Sequence, residues 1–75
     1  MGDGKAQAVI ELVAAELQIP AARLNADSSV DTVPEWDSMA HLNICLAFQE
    51  RFGVALDLEA IAAATSVPAL VALLK

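Results

Sequence analysis

The sequence predicts an all-α fold: a four-helix bundle with a long loop between helices 1 and 2 and a short third helix. Three observations carry this expectation. The composition is 57% hydrophobic but only 4% aromatic, and much of the apolar share is alanine, which favours helix over strand and lets helices approach closely. Apolar residues recur at three- and four-residue spacing, the period of one helix face. Residues that start and stop helices fall at the ends of these periodic runs.

From Ala6 to Leu17, Val9, Ile10, Val13 and Leu17 mark one face of a first helix, and Pro20 closes it shortly afterwards. Residues 20–37 combine Pro20, Pro34, Asn25, Ser28, Ser29 and four acids with apolar anchors at Leu24, Val30 and Trp36, beside Ile19 just before them. That pattern reads as a long loop pinned to the core, and a loop of this length in a small domain commonly carries function. A second helix begins beside Asp37 and runs to Phe52, where Gly53 supplies the stop. Around its wheel, Ala40, Asn43, Ala47, Glu50 and Arg51 form a polar or small strip, while Met39, Leu42, Ile44, Cys45, Leu46, Phe48 and Phe52 cover most of the rest. So widely apolar a helix is expected at the centre, with the small and polar strip left for partners. Asp57 is a good N-cap for a short third segment with Leu58 and Ile61. Thr65 or Ser66 can cap a last helix that tolerates Pro68 in its first turn and buries Leu70, Leu73 and Leu74.

At 75 residues the chain is expected to be one domain, residues 1–75, whose core is too modest to enclose an active site with its own substrate pocket. The reading is therefore a non-enzyme. A net charge of −6 repels phosphate backbones and argues against nucleic acid, while favouring a basic-faced protein partner. Apolar runs are too short to span a bilayer and no Lys/Arg-rich amphipathic face is present, so membrane insertion is not expected. The opening Met1-Gly2-Asp3-Gly4-Lys5 lacks a cationic segment followed by an apolar one, so a cytoplasmic protein, monomeric and discrete, is the expectation. Cys45, the single cysteine, has no partner for an internal disulfide and sits between Ile44 and Leu46. It reads as a packing residue, with a reactive thiol as the alternative.

Ser38 stands where the acidic loop meets the central helix, in the run Pro34-Glu35-Trp36-Asp37-Ser38-Met39. A phosphoryl group on its hydroxyl would face unpaired N–H groups and the positive end of the helix dipole. The alternative is that Asp37 or Ser38 simply caps the helix, and neither has Glu or Gln three residues later to complete a capping box.

The motif Asp37-Ser38-Met39, followed by an amphipathic helix ending Glu50-Arg51-Phe52-Gly53-Val54, resembles the acyl carrier protein family. The similarity extends over almost the whole chain: first helix, long loop, motif, Phe-Gly turn, short third helix and a Thr-Ser-Val start to the last. The resemblance implies that Ser38 receives 4'-phosphopantetheine from coenzyme A through a phosphopantetheinyl transferase, and that acyl groups then ride as thioesters on the arm's thiol. Tethering of that kind raises the effective concentration of cargo at each partner site. Asp37 matches the aspartate associated with transferase recognition, and it can be the N-cap as well. Met39 matches the apolar residue that meets partner enzymes, with ordinary packing as its other reading.

Carriers of the fatty-acid type show several acids on the central helix that meet basic docking patches on acyl-loading and acyl-processing enzymes. Here Asn43 and Gln49 stand at positions often acidic there, and Glu50 is the sole acid on the helix. With Met39, Asn43, Ala47 and Glu50 as the expected partner face, the reading becomes a carrier for a dedicated fatty-acid-like or polyketide-like pathway. An aminoacyl or D-alanyl carrier is the alternative within the same chemistry. A purely structural acidic interaction module, with Ser38 only a cap, is the alternative from another class. His41, one turn after Ser38, invites a catalytic dyad, but no third group accompanies it, and a surface or interface histidine is expected. Trp36 reads as a loop anchor rather than a substrate platform. Leu46, Phe48, Phe52, Val54 and Ile61 read as core, with a cleft for an acyl chain as the alternative.

Overall fold

The computed structural model describes residues 4–74, so the opening residues Met1–Asp3 read above for a secretory signal lie outside the described part. Four α-helices follow in order: α1 (Gly4–Leu17), α2 (Ser38–Phe52), α3 (Leu58–Ala63) and α4 (Val67–Ala72). A single turn of 3₁₀ helix, Ala21–Arg23, interrupts the long α1–α2 loop. The all-helical bundle expected from the sequence is what the described residues form. α3 and α4 each have six residues, so the third helix shares its shortness with the fourth. No helix among the described residues is long and apolar enough to cross a membrane.

Each helix is bounded by a local device. The side chains of Asp37, Asp57 and Ser66 accept hydrogen bonds from the N–H groups of Ala40 (2.9 Å), Ala60 (2.8 Å) and Ala69 (3.1 Å), which satisfies donors that helix starts leave unpaired. Gly53 closes α2 at φ +66°, and its N–H bonds to the Gln49 carbonyl. The end of α1 differs from expectation. Gln18, not the downstream Pro20, takes the left-handed conformation at φ 59°; the Ile19 N–H reaches back to the Ala14 carbonyl and the Gln18 N–H to that of Ala15. This is a Schellman closure built on a residue other than glycine.

α1 packs against both α2 and α4, burying Val9, Ile10, Leu12, Val13 and Ala14. Opposite them, Ile44, Cys45 and Phe48 of α2 and Val67 and Leu70 of α4 complete the buried centre. Each valine, leucine, isoleucine or phenylalanine among them contributes about 1.5–3 kcal/mol by leaving water.

Trp36, 2% exposed, plugs this centre from the loop, joined by Leu24 and Val33. The loop is also stitched to the start of α4, because the Val30 N–H donates to the Thr65 carbonyl (3.0 Å) and the Val67 N–H to the Ser28 carbonyl (2.8 Å). Its backbone polar groups thus find partners without a regular element. The Arg23 guanidinium grips both carboxylate oxygens of Glu35, at 2.5 and 2.9 Å, and ties the two ends of the loop together.

Two expectations about α2 are corrected. Leu42 and Leu46 are exposed, at 50% and 60%, although the wheel had grouped them with the apolar, covered positions. Ala47 instead sits half-buried beside α1, lining a groove with Leu12, Ala15 and Glu50. The outward face is therefore turned by roughly a quarter of the wheel and runs Met39, Leu42, Asn43, Leu46, Glu50. The small side chain of Ala47 faces α1 across that groove, whereas Leu42 and Leu46 stay exposed.

His41 is the second correction. Expected at the surface or an interface, it is 7% exposed. Its Nδ1 accepts the indole N–H of Trp36 at 3.0 Å, and its Nε2 lies 2.7 Å from the Ile61 carbonyl. An imidazole whose Nδ1 accepts carries its proton on Nε2, which donates to Ile61. One buried ring thus joins α2, the loop plug and α3.

Candidate functional site

Asp37 and Ser38 meet solvent together at the junction of loop and α2. The loop delivers them there because Trp36, one residue earlier, is locked in the core, and because the Asp37 carboxylate sets the first turn of the helix. Ser38 is the first helical residue. The Asp37 side chain occupies the Ala40 N–H and the Asp37 carbonyl takes the His41 N–H at 2.8 Å. The N–H groups of Ser38 and Met39 have no acceptor within the helix and face outward at its partially positive end.

The chain contains four serines, and three of their hydroxyls already serve the backbone. Ser28 Oγ, buried, accepts from the Asn25 N–H (2.9 Å); Ser29 Oγ accepts from the Asp31 N–H (3.2 Å); Ser66 Oγ caps α4. Ser38 alone among them is exposed.

Beside Ser38 lies a cleft of about 310 Å³ lined by Val30, Trp36, Asp37, Ser38, His41 and Thr65. The polar atoms of Trp36 and His41 are engaged with each other and with Ile61, so these two rings present carbon to the cleft. Nearby, the hydrogen-bonded Arg23 guanidinium holds the Glu35 carboxyl below the ordinary carboxylate range. Deeper in α2, burial pushes the Cys45 thiol upward; its Sγ packs 3.5 Å from His41 Nε2, as a packing residue rather than a reactive one.

The model of the phosphopantetheine attachment site family matches residues 7–74, from the first turns of α1 to the end of the described chain. The chain belongs to that family. It is a phosphopantetheine-bearing carrier protein, with the prosthetic group held covalently on a serine. Carriers of this family are non-catalytic, and work with phosphopantetheinyl transferases and acyl-processing enzymes. Among curated proteins, no relative matches the chain.

The carrier's expected partner face separates into three groups. Met39, 74% exposed, lies directly beside Ser38. Asn43 and Glu50 are exposed further along the same face, and Ala47 is turned toward α1. Leu42 and Leu46, which the sequence grouped with the covered positions, are exposed on the same side of α2. Their exposure carries no signal in a wheel that is apolar nearly all round. The hydrogen-bonded trio of Trp36, His41 and Ile61 was equally silent, because it joins residues 5 and 20 positions apart.

Proposed function

We infer that Ser38 is the serine that carries 4'-phosphopantetheine, and that the chain, residues 1–75, is a single acyl carrier domain acting as a cytoplasmic monomer. The observation that supports the attachment is the contrast among the four serines: only the Ser38 hydroxyl is both open to an incoming enzyme and placed at a helix start. A phosphodiester there keeps a negative charge, which the outward N–H groups of Ser38 and Met39 and the dipole end of α2 stabilise. The residues present fit the group.

Ser38 Oγ acts as the nucleophile on the pantetheine-side phosphorus of coenzyme A, forming a new phosphorus–oxygen bond as the pyrophosphate bridge breaks and adenosine 3',5'-bisphosphate departs. Its proton goes to a base of the transferase, since the one nearby imidazole, His41, has both nitrogens engaged. Asp37 uses one carboxylate oxygen as the cap and leaves its remaining charge to solvent, where the transferase would recognise it. Once bound, the arm's terminal thiol carries acyl groups as thioesters.

Partners approach on the face Met39, Leu42, Asn43, Leu46 and Glu50. Basic docking patches would pair with Glu50 and with Asp57 and Glu59 on α3, giving steering and specificity more than affinity. With one acid on α2 and three apolar side chains at i, i+3 and i+7, the face also suits an apolar groove. That mixture supports a dedicated fatty-acid-like or polyketide-like pathway. The role of Asp37 is tested by pantetheinylation rates of Asp37→Ala and Asp57→Ala. Both lose a helix cap, about 1 kcal/mol each, but only the Asp37 variant should be a poor transferase substrate. Equal rates would leave Asp37 as a cap alone.

A further inference from the structure

The acids of the two long helices converge. α1 carries Glu11 and Glu16 and α2 carries Glu50 alone, and all three line one groove of about 380 Å³ between these helices. Its remaining walls are Leu12, Ala15, Ala47 and Arg51. By itself α2 offers a partner one carboxylate; the fold sets two more beside it from α1.

Little within the protein answers this charge. Among the described residues the one ion pair is Arg23–Glu35, on the α1–α2 loop. Glu11 accepts from the Gln7 side-chain amide at 3.1 Å, a neutral donor. Arg51, the one cation among the lining residues, lies over the Phe52 ring at 5.8 Å from its centroid and forms no ion pair with the three acids. Three carboxylates against one guanidinium leave the groove negative, and a cation entering from outside relieves their mutual repulsion.

Shape and surface restrict that cation. Among the described residues no acids group closely enough to hold a metal ion, and a bare ion would leave the carbon of Leu12, Ala15 and Ala47 unused. A second copy of the chain brings a net charge of −6 of its own and is repelled. Lysine and arginine suit both features, since they lay an alkyl stem on apolar surface and keep the charged head among polar groups. At about 30 Å³ per water-sized group, the groove takes about a dozen non-hydrogen atoms, enough for one such side chain with water around it and too few for a whole helix.

Position makes such a seat useful. Ala47 is nine residues from Ser38, roughly 14 Å along the α2 axis, so a partner anchored here leaves Ser38 uncovered. Glu50 belongs both to the groove and to the outward face of α2. One partner can therefore lie on that face and extend a side chain into the groove.

We propose that the α1–α2 groove seats a lysine or arginine side chain of a partner protein, its stem against Leu12, Ala15 and Ala47 and its charge among Glu11, Glu16 and Glu50. This rests on the reading of a basic-faced partner and is independent of which serine bears the arm. It makes α1 part of the docking surface, which the sequence assigns to α2 alone.

The test is an NMR titration of the isotope-labelled full chain with a blocked, alanine-rich helical peptide carrying lysines on one face, and with its glutamate counterpart. The lysine peptide should shift the amide signals of Glu11, Ala15, Ala47 and Glu50, less so in high salt, and the glutamate peptide should not. A Glu11→Gln/Glu16→Gln variant, shown folded by circular dichroism, should raise the peptide's Kd about threefold or more, the loss expected of two exposed charge pairs. Glu59→Gln, outside the groove, should leave it nearly unchanged. Shifts centred on Met39, Leu42 and Leu46 or on Asp57 and Glu59, with the double variant binding as tightly as the wild type, would overturn the groove assignment and keep the basic-faced partner. No binding of the lysine peptide at any site would overturn both.

Discussion

The indole N–H of Trp36 donates to Nδ1 of His41 across 3.0 Å, and the same imidazole reaches the Ile61 carbonyl from its other nitrogen. A loop residue, a helix residue and the backbone of α3 therefore depend on one ring directly beneath Ser38.

Replacing His41 by alanine leaves the indole N–H and the Ile61 carbonyl without their partner and opens a hole beside Cys45. We expect a loss of about 2–4 kcal/mol by urea unfolding. At a temperature where the variant is folded, transfer to Ser38 should persist, because the ring positions the loop and takes no proton. Abolished transfer in a folded variant would instead make His41 a participant.

Gln18 holds a left-handed backbone at φ 59°, which costs a residue with a Cβ about 1–2 kcal/mol. Glycine avoids that cost, less its greater freedom in the unfolded chain, so Gln18→Gly should stabilise by about 0.5–1 kcal/mol in the same assay. Gly53→Ala should destabilise by about 1 kcal/mol through backbone strain alone, since no atom lies within 4 Å of the added Cβ.

Much of the fold is legible in the sequence where the cause is local. Asp37, Asp57, Ser66 and Gly53 announce helix ends because each acts on backbone within a few residues of itself. Gln18 announces nothing, since glutamine has no preference for the left-handed region. The rotation of α2 is hidden for another reason: with Leu42 and Leu46 added to Ile44, Cys45 and Phe48, the helix has apolar residues on nearly every side, and only the placement of α1 decides which are covered. For the candidate site, Asp37 and Ser38 stand out as a motif, whereas the cleft does not. Its walls come from Val30, His41 and Thr65, brought together by the loop's stitching to α4.

Cys45 is 1% exposed and desolvation raises its thiol pKa, so the native apo chain should react slowly with a thiol reagent at pH 8 and rapidly once unfolded. Loaded protein should show one fast thiol, that of the arm. The sign of the pH effect follows. Above the ordinary thiol value of about 8.5, the unfolded chain ionises before the folded one, so stability falls as pH rises. Prompt labelling of native apo protein would contradict the buried assignment.

Glu35 and Arg23 form an exposed pair, and the hydrogen bonds from Arg23 lower the Glu35 pKa. A depressed carboxyl contributes stability above its unfolded pKa and loses it as pH falls through the folded value. An Arg23→Ala variant should return Glu35 toward the ordinary range in an NMR titration and flatten that acid-side dependence. Added salt should weaken the same contribution in the wild type.

The central claim is that Ser38 bears the arm, and intact mass tests it most directly. Wild type and Ser38→Ala, both shown folded by circular dichroism, are incubated with coenzyme A, magnesium and a broad-specificity phosphopantetheinyl transferase. The account predicts one added phosphopantetheine on the wild type and none on the variant. An equal gain on Ser38→Ala, or no gain on the wild type while a control carrier is fully loaded, would contradict it.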